Sequence, residues 1–302
     1  MISKMEFGLP GSAFQSEIQV LQSKKIPYRG RLAPSPTGYL HAGHAVNFWR
    51  AQGRALSAGG KLLLRIEDLD RDRCRPEFRA AIVEDLGWFG LQWEGAPILQ
   101  SGRRALYLEA WKRLRDRGLV YPCACTRRDV LSAAGAPHAE DDEPVYPGTC
   151  RPVGLTIPEA EDPAGVNWRF RVPEGESLRF HDRSAGPQRA VAGVGFGGFI
   201  VWRKDDVPAY QLAVVVDDAE MKITEVVRGA DLLRSTFRQL LLYRALALWP
   251  PEFCHFALVT DSLGRRLVKR DDARSLRTLR DRGLTPEEIR YRLAPRVALP
   301  DE

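Results

Sequence analysis

The sequence has 302 residues, of which 44% are hydrophobic and 28% are charged, and it carries a formal net charge of +6. This balance is typical of a globular protein with one large domain or two ordinary ones. Its apolar stretches are far shorter than the roughly 18 residues that span a bilayer, which argues against a membrane protein. The positive charge is compatible with a polyanionic partner such as a nucleic acid, and also with a merely basic surface.

Residues 1–27 are interpreted as an N-terminal extension, in which Glu, Lys, Gln and Ser are mixed. They lack the basic segment followed by an apolar segment that marks a secretion signal. We therefore expect a cytoplasmic location, and the extension itself gives no indication of function.

Residues 28–118 alternate between strand and helix patterns. The predicted elements are a strand at 29–33, a helix at 43–57, a strand at 61–66, and amphipathic helices at 76–89 and 102–117. Alternation in this order predicts a parallel α/β sheet.

The alternation stops in residues 119–203, where Pro and Gly become dense. Short strands predicted at 168–172 and 198–203 indicate an inserted α+β module. Gly193–Gly198 has the glycine spacing of a dinucleotide-binding loop, but no strand-turn-helix unit is predicted around it. We interpret it as a flexible connection.

The α/β pattern resumes in residues 204–255, which form the second half of the same domain. Buried strands are predicted at 211–216 and 223–227, and a helix at 236–248. Residues 256–302 then read as a strand and loop to residue 270, followed by helices at 273–281 and 286–293.

The most specific motif is RLAPSPTGYLHAGH, residues 31–44, in which a strand and a Pro-rich loop lead into a helix. A helix N-terminus offers unpaired N–H groups and the positive end of the helix dipole, which together bind phosphate. Gly43 lets a nucleotide approach the backbone closely. His41 and His44 can donate hydrogen bonds to phosphate oxygens as charge develops during phosphoryl transfer.

The cysteines indicate a metal site. Five cysteines stand at positions 74, 123, 125, 150 and 254, and an odd number without a secretion signal argues against a disulfide framework. Cys123, Cys125 and Cys150 lie within 28 residues and suit one tetrahedral structural zinc ion. On general chemistry His138 is a candidate fourth ligand, and three thiols that bind nothing are the alternative.

Residues 31–44 resemble the ATP-binding signature of class I aminoacyl-tRNA synthetases, in the form found in the glutamyl group. RIEDLD at residues 65–70 is similar to that group's RIEDTD, and residues 206–218 and 227–231 match it as well. The Cys-x-Cys and Tyr-x-x-x-Cys spacing is similar to that of the glutamyl-queuosine tRNA(Asp) synthetases. The resemblance covers about residues 29–295.

The resemblance implies a Rossmann-type class I catalytic domain made of residues 28–118 and 204–255. It implies that residues 119–203 form a zinc-containing module that contacts the tRNA acceptor stem, and that residues 256–302 form a phosphate-binding loop and a short helical region. The implied reaction is the ATP-dependent activation of L-glutamate, with Mg²⁺, followed by transfer to queuosine at the wobble position of tRNA(Asp).

The same motifs imply a glutamate pocket. Glu67, at the carboxyl end of a strand, is expected to bind the substrate ammonium, the alternative being a solvated acidic loop. Arg228 is a planar, always-charged, bidentate donor for the substrate's side-chain carboxylate, and Arg31 is a second candidate. Tyr210 adds a hydroxyl, its alternative being a core aromatic. The implied glutamate-binding residues are Arg31, Ala33, Ser35, Glu67, Tyr210 and Arg228.

The implied ATP-binding residues are His41, Gly43, His44, Arg266 and Lys269, of which His41, His44 and Lys269 are also the implied catalytic residues. RLVKR at residues 266–270 matches the Lys-Met-Ser-Lys-Ser loop of class I enzymes, with Arg266 in place of the first lysine and Val268 in place of a serine. An ordinary basic loop is the alternative.

The resemblance also favours Tyr146 over His138 as the fourth metal ligand. The implied zinc ligands are Cys123, Cys125, Tyr146 and Cys150.

About 32 residues follow Arg270, which we expect to be too few for a separate anticodon-reading domain. We therefore expect a monomer that acts on ATP, L-glutamate and queuosine-containing tRNA(Asp), without a membrane partner. The alternatives are a shortened conventional glutamyl-tRNA synthetase and a catalytically silent relative that binds tRNA or an adenylate.

Overall fold

A computed structural model describes residues 27–133, 145–258 and 275–293. The extension before residue 27, His138 and residues 266–270 lie outside the described residues. Within the described residues, the helices are too short or too polar to cross a bilayer.

The first half of the chain forms three parallel strands with helices between them. These elements are β1 (Arg29–Leu32), α1 (Ala42–Ser57), β2 (Lys61–Ile66), α2 (Pro76–Trp88), β3 (Ile98–Leu99) and α3 (Arg104–Asp116). A single 3-10 turn, Gln100–Arg103, precedes α3. Strand β2 lies between β1 and β3, and both pairings are parallel, as the alternating sequence pattern predicts.

Two further parallel strands come from the second half, and they lie beside β1. These are β10 (Glu225–Gly229) and β11 (Glu252–Phe256). The N–H of Thr224 donates to the carbonyl of Arg29 at 2.8 Å, which places β10 next to β1. The strands therefore follow the order β3-β2-β1-β10-β11, and the prediction of an α/β fold with a parallel sheet is confirmed.

The prediction of a buried strand at residues 211–216 is wrong, because this segment lies inside the helix α5 (Tyr210–Glu220). Leu212 through Val216 are all buried, so the helix is apolar on every side along this stretch. A fully buried helix has no polar face to reveal its 3.6-residue period, and three successive valines then mimic a central strand.

The segment between the two halves contains a second, antiparallel sheet. Its strands pair in the order β4 (Val120–Cys123), β5 (Asn167–Phe170), β8 (Ile200–Arg203) and β9 (Val207–Pro208), and a short helix α4 (Arg127–Ala133) follows β4. Trp111 of α3 packs edge-on against Trp168 of β5, with ring centroids 4.9 Å apart. This sheet thus shares one hydrophobic core with α3, α5 and α6 (Leu233–Ala245).

A hairpin that the sequence pattern did not predict joins this segment to the parallel sheet. It consists of β6 (Ser177–Asp182) and β7 (Gly186–Val191), which pair antiparallel. The end of β6 pairs in parallel with β11 through Asp182 and Phe253. Asp182, a residue of the intervening segment, therefore lies in the same sheet as β10 and β11.

The chain after the sheet forms two short helices, α7 (Leu276–Asp281) and α8 (Pro286–Leu293), close to the predicted positions. Leu276 and Ile289 are buried in the core that α1, α2 and the first strands share. The N–H of Leu276 donates to the carbonyl of Leu40 at 2.8 Å, and Ser275 bridges to His41. The helical region is thereby attached to the loop that precedes α1.

Candidate active site

A cleft of about 1050 Å³ opens where the parallel strands end at their carboxyl termini. Residues that follow or end β1, β2, β10 and β11 line it, as expected for a ligand site of an open α/β sheet. The structure brings together in this cleft all the predicted glutamate- and ATP-binding residues that it describes, namely Arg31, Ala33, Ser35, His41, Gly43, His44, Glu67, Tyr210 and Arg228.

The N-terminus of α1 lies in the wall of the cleft. His41 is the residue immediately before the helix, and its backbone is extended. Its Nδ1 accepts a hydrogen bond from the N–H of Gly43 at 3.3 Å. His41 is buried, whereas His44 is exposed. The N–H groups of Gly43, His44 and Ala45 all donate to His41. The side chain of His44 is therefore the group of this turn that a phosphate in the cleft could contact, beside the positive end of the helix dipole.

Glu67 lies one residue beyond β2 and is held by a fully buried arginine. Arg65 Nη2 donates to Glu67 Oε1 at 2.9 Å, and Arg65 has no exposed surface. Burial raises the pKa of Glu67 above its ordinary value, and Arg65 and Arg31 oppose that rise. Their two positive charges favour the ionised carboxylate that an ammonium group would need.

Two adjacent aspartates of α5 fix this arginine and its neighbours. Asp218 Oδ1 accepts from Arg65 Nη1 at 2.6 Å and lies 3.5 Å from Arg31 Nε. Asp217 accepts from the Tyr107 hydroxyl at 2.9 Å and from Arg103 Nε at 2.7 Å. Both carboxylates are buried, so α5 anchors β1, β2 and α3 through charged groups rather than through packing alone.

Arg31 reaches across the sheet from β1 to β10. Its Nη1 donates to the carbonyl of Val227 at 3.1 Å. Burial lowers the pKa of Arg31, and the nearby charges of Arg65 and Arg228 lower it further, while Asp218 opposes them. The cleft therefore concentrates positive charge on the side where β1 meets β10.

Arg228 of β10 is almost fully buried, and most of its donors already have partners. Its Nε donates to His255 Nε2 at 2.9 Å, and its Nη2 donates to Thr236 Oγ1 at 2.8 Å and to Gln239 Oε1 at 2.9 Å. Its Nη1 lies 3.5 Å from the Tyr210 hydroxyl, at the limit of a hydrogen bond. Among the described residues, Nη1 is therefore the nitrogen of Arg228 that is least occupied by other partners. The role of Arg228 as a bidentate donor to the substrate carboxylate stays a prediction.

The sequence analysis missed the residues that hold Arg228 in place. His255 of β11 and Asp182 of β6 are both buried, and His255 Nδ1 lies 2.5 Å from Asp182 Oδ2. No motif marks either residue, because they are 73 positions apart and come from two different elements. The only available signal was an isolated histidine in an apolar strand, EFCHF.

The three clustered cysteines meet in the intervening segment, outside the cleft. The Sγ atoms of Cys123, Cys125 and Cys150 all lie within 4.8 Å of one another. The Tyr146 hydroxyl is 3.5 Å from Cys123 Sγ and 3.7 Å from Cys125 Sγ, and it accepts from the N–H of Cys150 at 2.7 Å. The four predicted metal ligands, Cys123, Cys125, Tyr146 and Cys150, therefore lie close together.

The surroundings of this cluster favour an anionic sulfur at Cys150 but not at Cys125, whose pKa is raised by burial and by its hydrogen bond with Cys150. Arg169 is buried beside it, with Nε donating to Cys123 Sγ at 3.2 Å and the guanidinium 3.9 Å from the centre of the Tyr146 ring. Burial opposes ionisation of Cys150, but hydrogen bonds from Tyr146 and from the backbone of Ala124 lower its pKa to about 7. A cationic neighbour and a lowered thiol pKa are features of metal-binding cysteines. The other two cysteines, Cys74 and Cys254, are free thiols elsewhere in the structure.

Arg266 and Lys269 lie outside the described residues, so their predicted roles stay predictions. The residues on either side of this gap are placed at the cleft. Leu258 lines it, and Ser275 pairs with His41.

The chain is similar to known tRNA synthetases over most of its length. A family model described as tRNA synthetases class I (E and Q), catalytic domain, matches residues 28–298. The Glutamyl-Q tRNA(Asp) synthetase of Nitratidesulfovibrio vulgaris is 46% identical over 278 residues, which is 88% of this chain and 85% of that protein. The Glutamyl-Q tRNA(Asp) synthetase of Symbiobacterium thermophilum is 44% identical over 284 residues, covering 90% of this chain and 87% of that protein.

Solved structures agree with this fold. The glutamate-tRNA synthetase of Elizabethkingia anophelis superposes with a TM-score of 0.70 at 29% identity. The match covers 82% of this chain and 53% of that one, so the chain spans about half the length of this structural relative. A glutamate tRNA ligase from Elizabethkingia meningosepticum, in complex with its amino acid, gives a TM-score of 0.69 at 29% identity and a coverage of 82% and 52%.

Proposed function

Because this chain belongs to the class I tRNA synthetases (E and Q), we propose that it activates L-glutamate with ATP and transfers the glutamyl group to queuosine at the wobble position of tRNA(Asp). Relatives with the name Glutamyl-Q tRNA(Asp) synthetase, at 40 to 46% identity over most of the chain, support this choice of acceptor. The expected substrates are ATP, with Mg²⁺ as for class I synthetases in general, L-glutamate and queuosine-containing tRNA(Asp).

The observation that carries the proposal is the charge arrangement of the cleft. Tyr210, Arg228, Glu67 and Arg31 line the same cleft, and the Tyr210 hydroxyl lies 3.5 Å from Arg228 Nη1. Glutamate carries one ammonium and one side-chain carboxylate, which match Glu67 on one side and Arg228 with Arg31 on the other. Ala33 and Ser35 line the same cleft and leave room for the substrate beside the loop after β1.

In the first step, an oxygen of the glutamate α-carboxylate attacks the α-phosphorus of ATP, and the bond to pyrophosphate breaks. His44 lines the cleft beside the positive end of α1. We propose that it contacts the phosphates and stabilises the charge that develops on their oxygens. His41 caps that turn and orients it. Lys269 and Arg266 are proposed to add positive charge from the segment that begins after Leu258 and ends before Ser275.

In the second step, a queuosine ring hydroxyl attacks the acyl carbon of glutamyl-adenylate. The new ester bond forms as AMP leaves with the electron pair of the broken acyl-phosphate bond, and the hydroxyl proton passes to solvent or to the leaving phosphate. Both nucleophiles belong to the substrates, so the protein contributes orientation and charge stabilisation rather than a nucleophilic side chain.

The cysteine cluster is proposed to hold one structural Zn²⁺. Three thiols and one phenol within reach of a common centre fit the four-coordinate geometry that zinc prefers, although tyrosine is an uncommon ligand. A bound zinc would hold β4 and the loop around Tyr146 together. We assign residues 119–203 to the module that contacts the tRNA, with 28–118 and 204–255 as the catalytic domain and 256–302 as the loop and helical region. A monomeric state and a cytoplasmic location stay predictions.

The proposal is tested by offering radiolabelled glutamate and ATP to purified tRNA(Asp) with and without queuosine. We expect label on the queuosine-containing tRNA only, attached to the base. The label should therefore survive removal of the tRNA's terminal adenosine. Glutamate-dependent ATP–pyrophosphate exchange without tRNA is the matched assay of the first step.

Two results would replace this proposal with another. Charging of tRNA(Glu) at its terminal ribose would identify a conventional glutamyl-tRNA synthetase activity. Absence of pyrophosphate exchange with any amino acid, in folded protein, would identify a silent relative that only binds tRNA or an adenylate.

A further inference from the structure

Three buried side chains, each in contact with the next, connect the intervening segment to the glutamate pocket. Asp182 on β6 contacts His255 on β11, and His255 contacts Arg228 on β10. Asp182 and His255 are 0% and 2% exposed, so water does not compete for these contacts. The three residues belong to three neighbouring strands of one sheet.

The contacts of Asp182 determine which nitrogen of His255 carries the proton. Asp182 Oδ1 accepts from the backbone N–H groups of His255, Ser184 and Ala185, at 3.0, 3.0 and 2.8 Å. Because an ionised carboxylate only accepts hydrogen bonds, the Nδ1 of His255 must be the donor to Oδ2. The lone pair on Nε2 is then free to accept from Arg228 Nε.

Arg228 is oriented by acceptors on every side but one. His255 takes Nε, and Thr236 and Gln239 of α6 take the two hydrogens of Nη2. Gln239 is itself aligned, because its Nε2 donates to Gln211 Oε1 at 3.0 Å. These contacts leave Nη1 pointing toward Tyr210 and the cleft.

We propose that Asp182 and His255 are positioning residues for glutamate binding, which fix Arg228 so that its Nη1 meets the side-chain carboxylate of the substrate. This inference rests on the proposed function of the cleft. The carboxylate that sets the arrangement comes from the intervening segment, so that segment helps to build the amino-acid pocket as well as the cysteine cluster.

The electrostatic surroundings agree with a neutral His255. Burial lowers its pKa, and the charges of Arg228 and Arg31 lower it further, while the hydrogen bond to Asp182 opposes them. Backbone and imidazole hydrogen bonds outweigh burial at Asp182 and hold its pKa far below the ordinary value. A charged imidazole would place a donor on Nε2, directly against Arg228 Nε.

Asp182→Asn is the decisive variant, because it keeps the shape of the side chain. The amide oxygen must stay with the three backbone N–H groups, so the amide nitrogen faces His255 Nδ1 as a donor. His255 must then carry its proton on Nε2, where it opposes Arg228 Nε. We expect the KM for glutamate in ATP–pyrophosphate exchange to rise about tenfold to hundredfold, with kcat changed by less than about threefold.

The tautomer itself is measured by ¹⁵N spectroscopy of histidine-labelled protein. The wild type should give a His255 signal protonated at Nδ1, and Asp182→Asn should move the proton to Nε2. The His255→Gln variant identifies the signal by its loss. Asp205→Asn, an exposed aspartate in the turn before β9, is the matched control and should leave both the KM and the spectrum unchanged.

His255→Gln also separates positioning from mere folding. Glutamine can offer an amide oxygen near Arg228 Nε but has no tautomers, so adding Asp182→Asn to it should raise the KM less than about threefold further. Because the two side chains are in contact, their effects on thermal stability need not add under either role. A purely structural role would instead leave the glutamate KM of the folded single variants unchanged.

The outcomes separate this inference from the function it rests on. Glutamate-dependent exchange in the wild type, with an unchanged glutamate KM in folded Asp182→Asn, would overturn the positioning role alone. A wild-type His255 protonated at Nε2 would also overturn it. No glutamate-dependent exchange in the wild type would overturn the proposed function, and the inference with it.

Discussion

At the scale of single residues, the cleft depends on a few charged groups whose environments differ. Arg228 is fixed by three acceptors, Arg31 lies between β1 and β10, and Glu67 is paired with Arg65. Each of these contacts orients a charged side chain before a substrate binds. Such preorganisation lowers the cost of binding, because fewer side chains must be ordered when the ligand enters.

Arg228→Lys should weaken glutamate binding strongly although it keeps the charge. A lysine ammonium is a single point with three donors, so it cannot reach His255, Thr236 and Gln239 and still face the substrate. We expect a rise of about hundredfold or more in the glutamate KM, measured by ATP–pyrophosphate exchange. Arg244→Lys, an exposed residue on the same helix as Thr236, is the control. Equal KM values for the two variants would contradict the assignment of Arg228.

Glu67 should make glutamate binding depend on pH. Burial raises the pKa of Glu67, so its carboxylate becomes protonated at a higher pH than the carboxylate of an exposed glutamate. The pKa of an exposed glutamate is ordinarily near 4.3. The glutamate KM should therefore rise as the pH falls toward this raised pKa. Glu67→Gln should show a high KM at every pH, without this rise. His255→Gln should keep the rise, which excludes the imidazole as its source.

At the scale of elements, most helix and strand boundaries in residues 28–118 were predictable from sequence. The strand predicted to begin at residue 256 instead ends there, as β11 (Glu252–Phe256). The amphipathic helices and the alternating β2 have one polar side, so their periods are visible. Helix α5 was not predictable, because its residues from Leu212 to Val216 are buried all round. The β6–β7 hairpin was missed as well, since its pairing with β11 depends on Asp182 and Phe253, residues from distant parts of the chain.

Within the site, motifs located residues that line the cleft but not the residues that hold them in place. His41, Glu67 and Arg228 were found because they stand in dense local patterns. Asp182 and His255 were not found, because the contact between them is made only after the sheet has formed. The sequence motifs therefore predicted residues that line the cleft, but not Asp182 and His255, which hold Arg228 in place.

The segment Gly193–Gly198, interpreted from sequence as a flexible connection, contains a close backbone contact. A Cβ at Gly197 would lie 2.6 Å from the carbonyl oxygen and 2.7 Å from the amide nitrogen of Tyr146. Side-chain motion cannot relieve a clash with backbone. This glycine thus determines how closely the loop approaches the cysteine cluster.

Gly197→Ala should displace Tyr146 and loosen the cluster. Overpacking of this kind costs about 1–3 kcal/mol, which lowers the thermal midpoint by several degrees. Metal content, measured on the purified protein, should fall together with the midpoint. Gly195→Ala is the matched control, since its added Cβ would meet its neighbours at 3.5 Å, an ordinary contact. The same metal content in both variants would separate Gly197 from the metal site.

At the scale of the whole molecule, the cleft and the cysteine cluster belong to different hydrophobic cores. Leu32, Ile66, Val227 and Phe256 surround the strands that form the cleft, whereas Tyr121, Cys123, Val130 and Tyr146 form a separate small cluster. The two regions are joined by the larger core around Trp111, Trp168 and Trp202. We therefore expect that loss of order in the small cluster would leave the core beneath the cleft intact.

Cys125→Ser should remove the metal and separate the two steps of the reaction. We expect about one zinc per chain in the wild type and close to none in the variant, by elemental analysis. Glutamate-dependent pyrophosphate exchange should change by less than about threefold, while transfer to tRNA should fall at least tenfold. Cys74→Ser, outside the cluster, should change neither. Wild-type protein that is free of metal and fully active in transfer would contradict the zinc assignment.

The partners of Arg228 have a consequence for the choice between glutamate and glutamine. Among the described residues, every group that accepts from this buried guanidinium is uncharged, and the carboxylate of Asp182 contacts it only through a neutral imidazole. Arg228 therefore has no directly bound counter-ion among the described residues. If Arg228 binds the side-chain carboxylate as proposed, glutamate would supply that counter-ion. The equally shaped glutamine would bury the charge uncompensated, a penalty that can reach about several kcal/mol. On this proposal, discrimination against the amide would arise from charge balance and would need no steric exclusion.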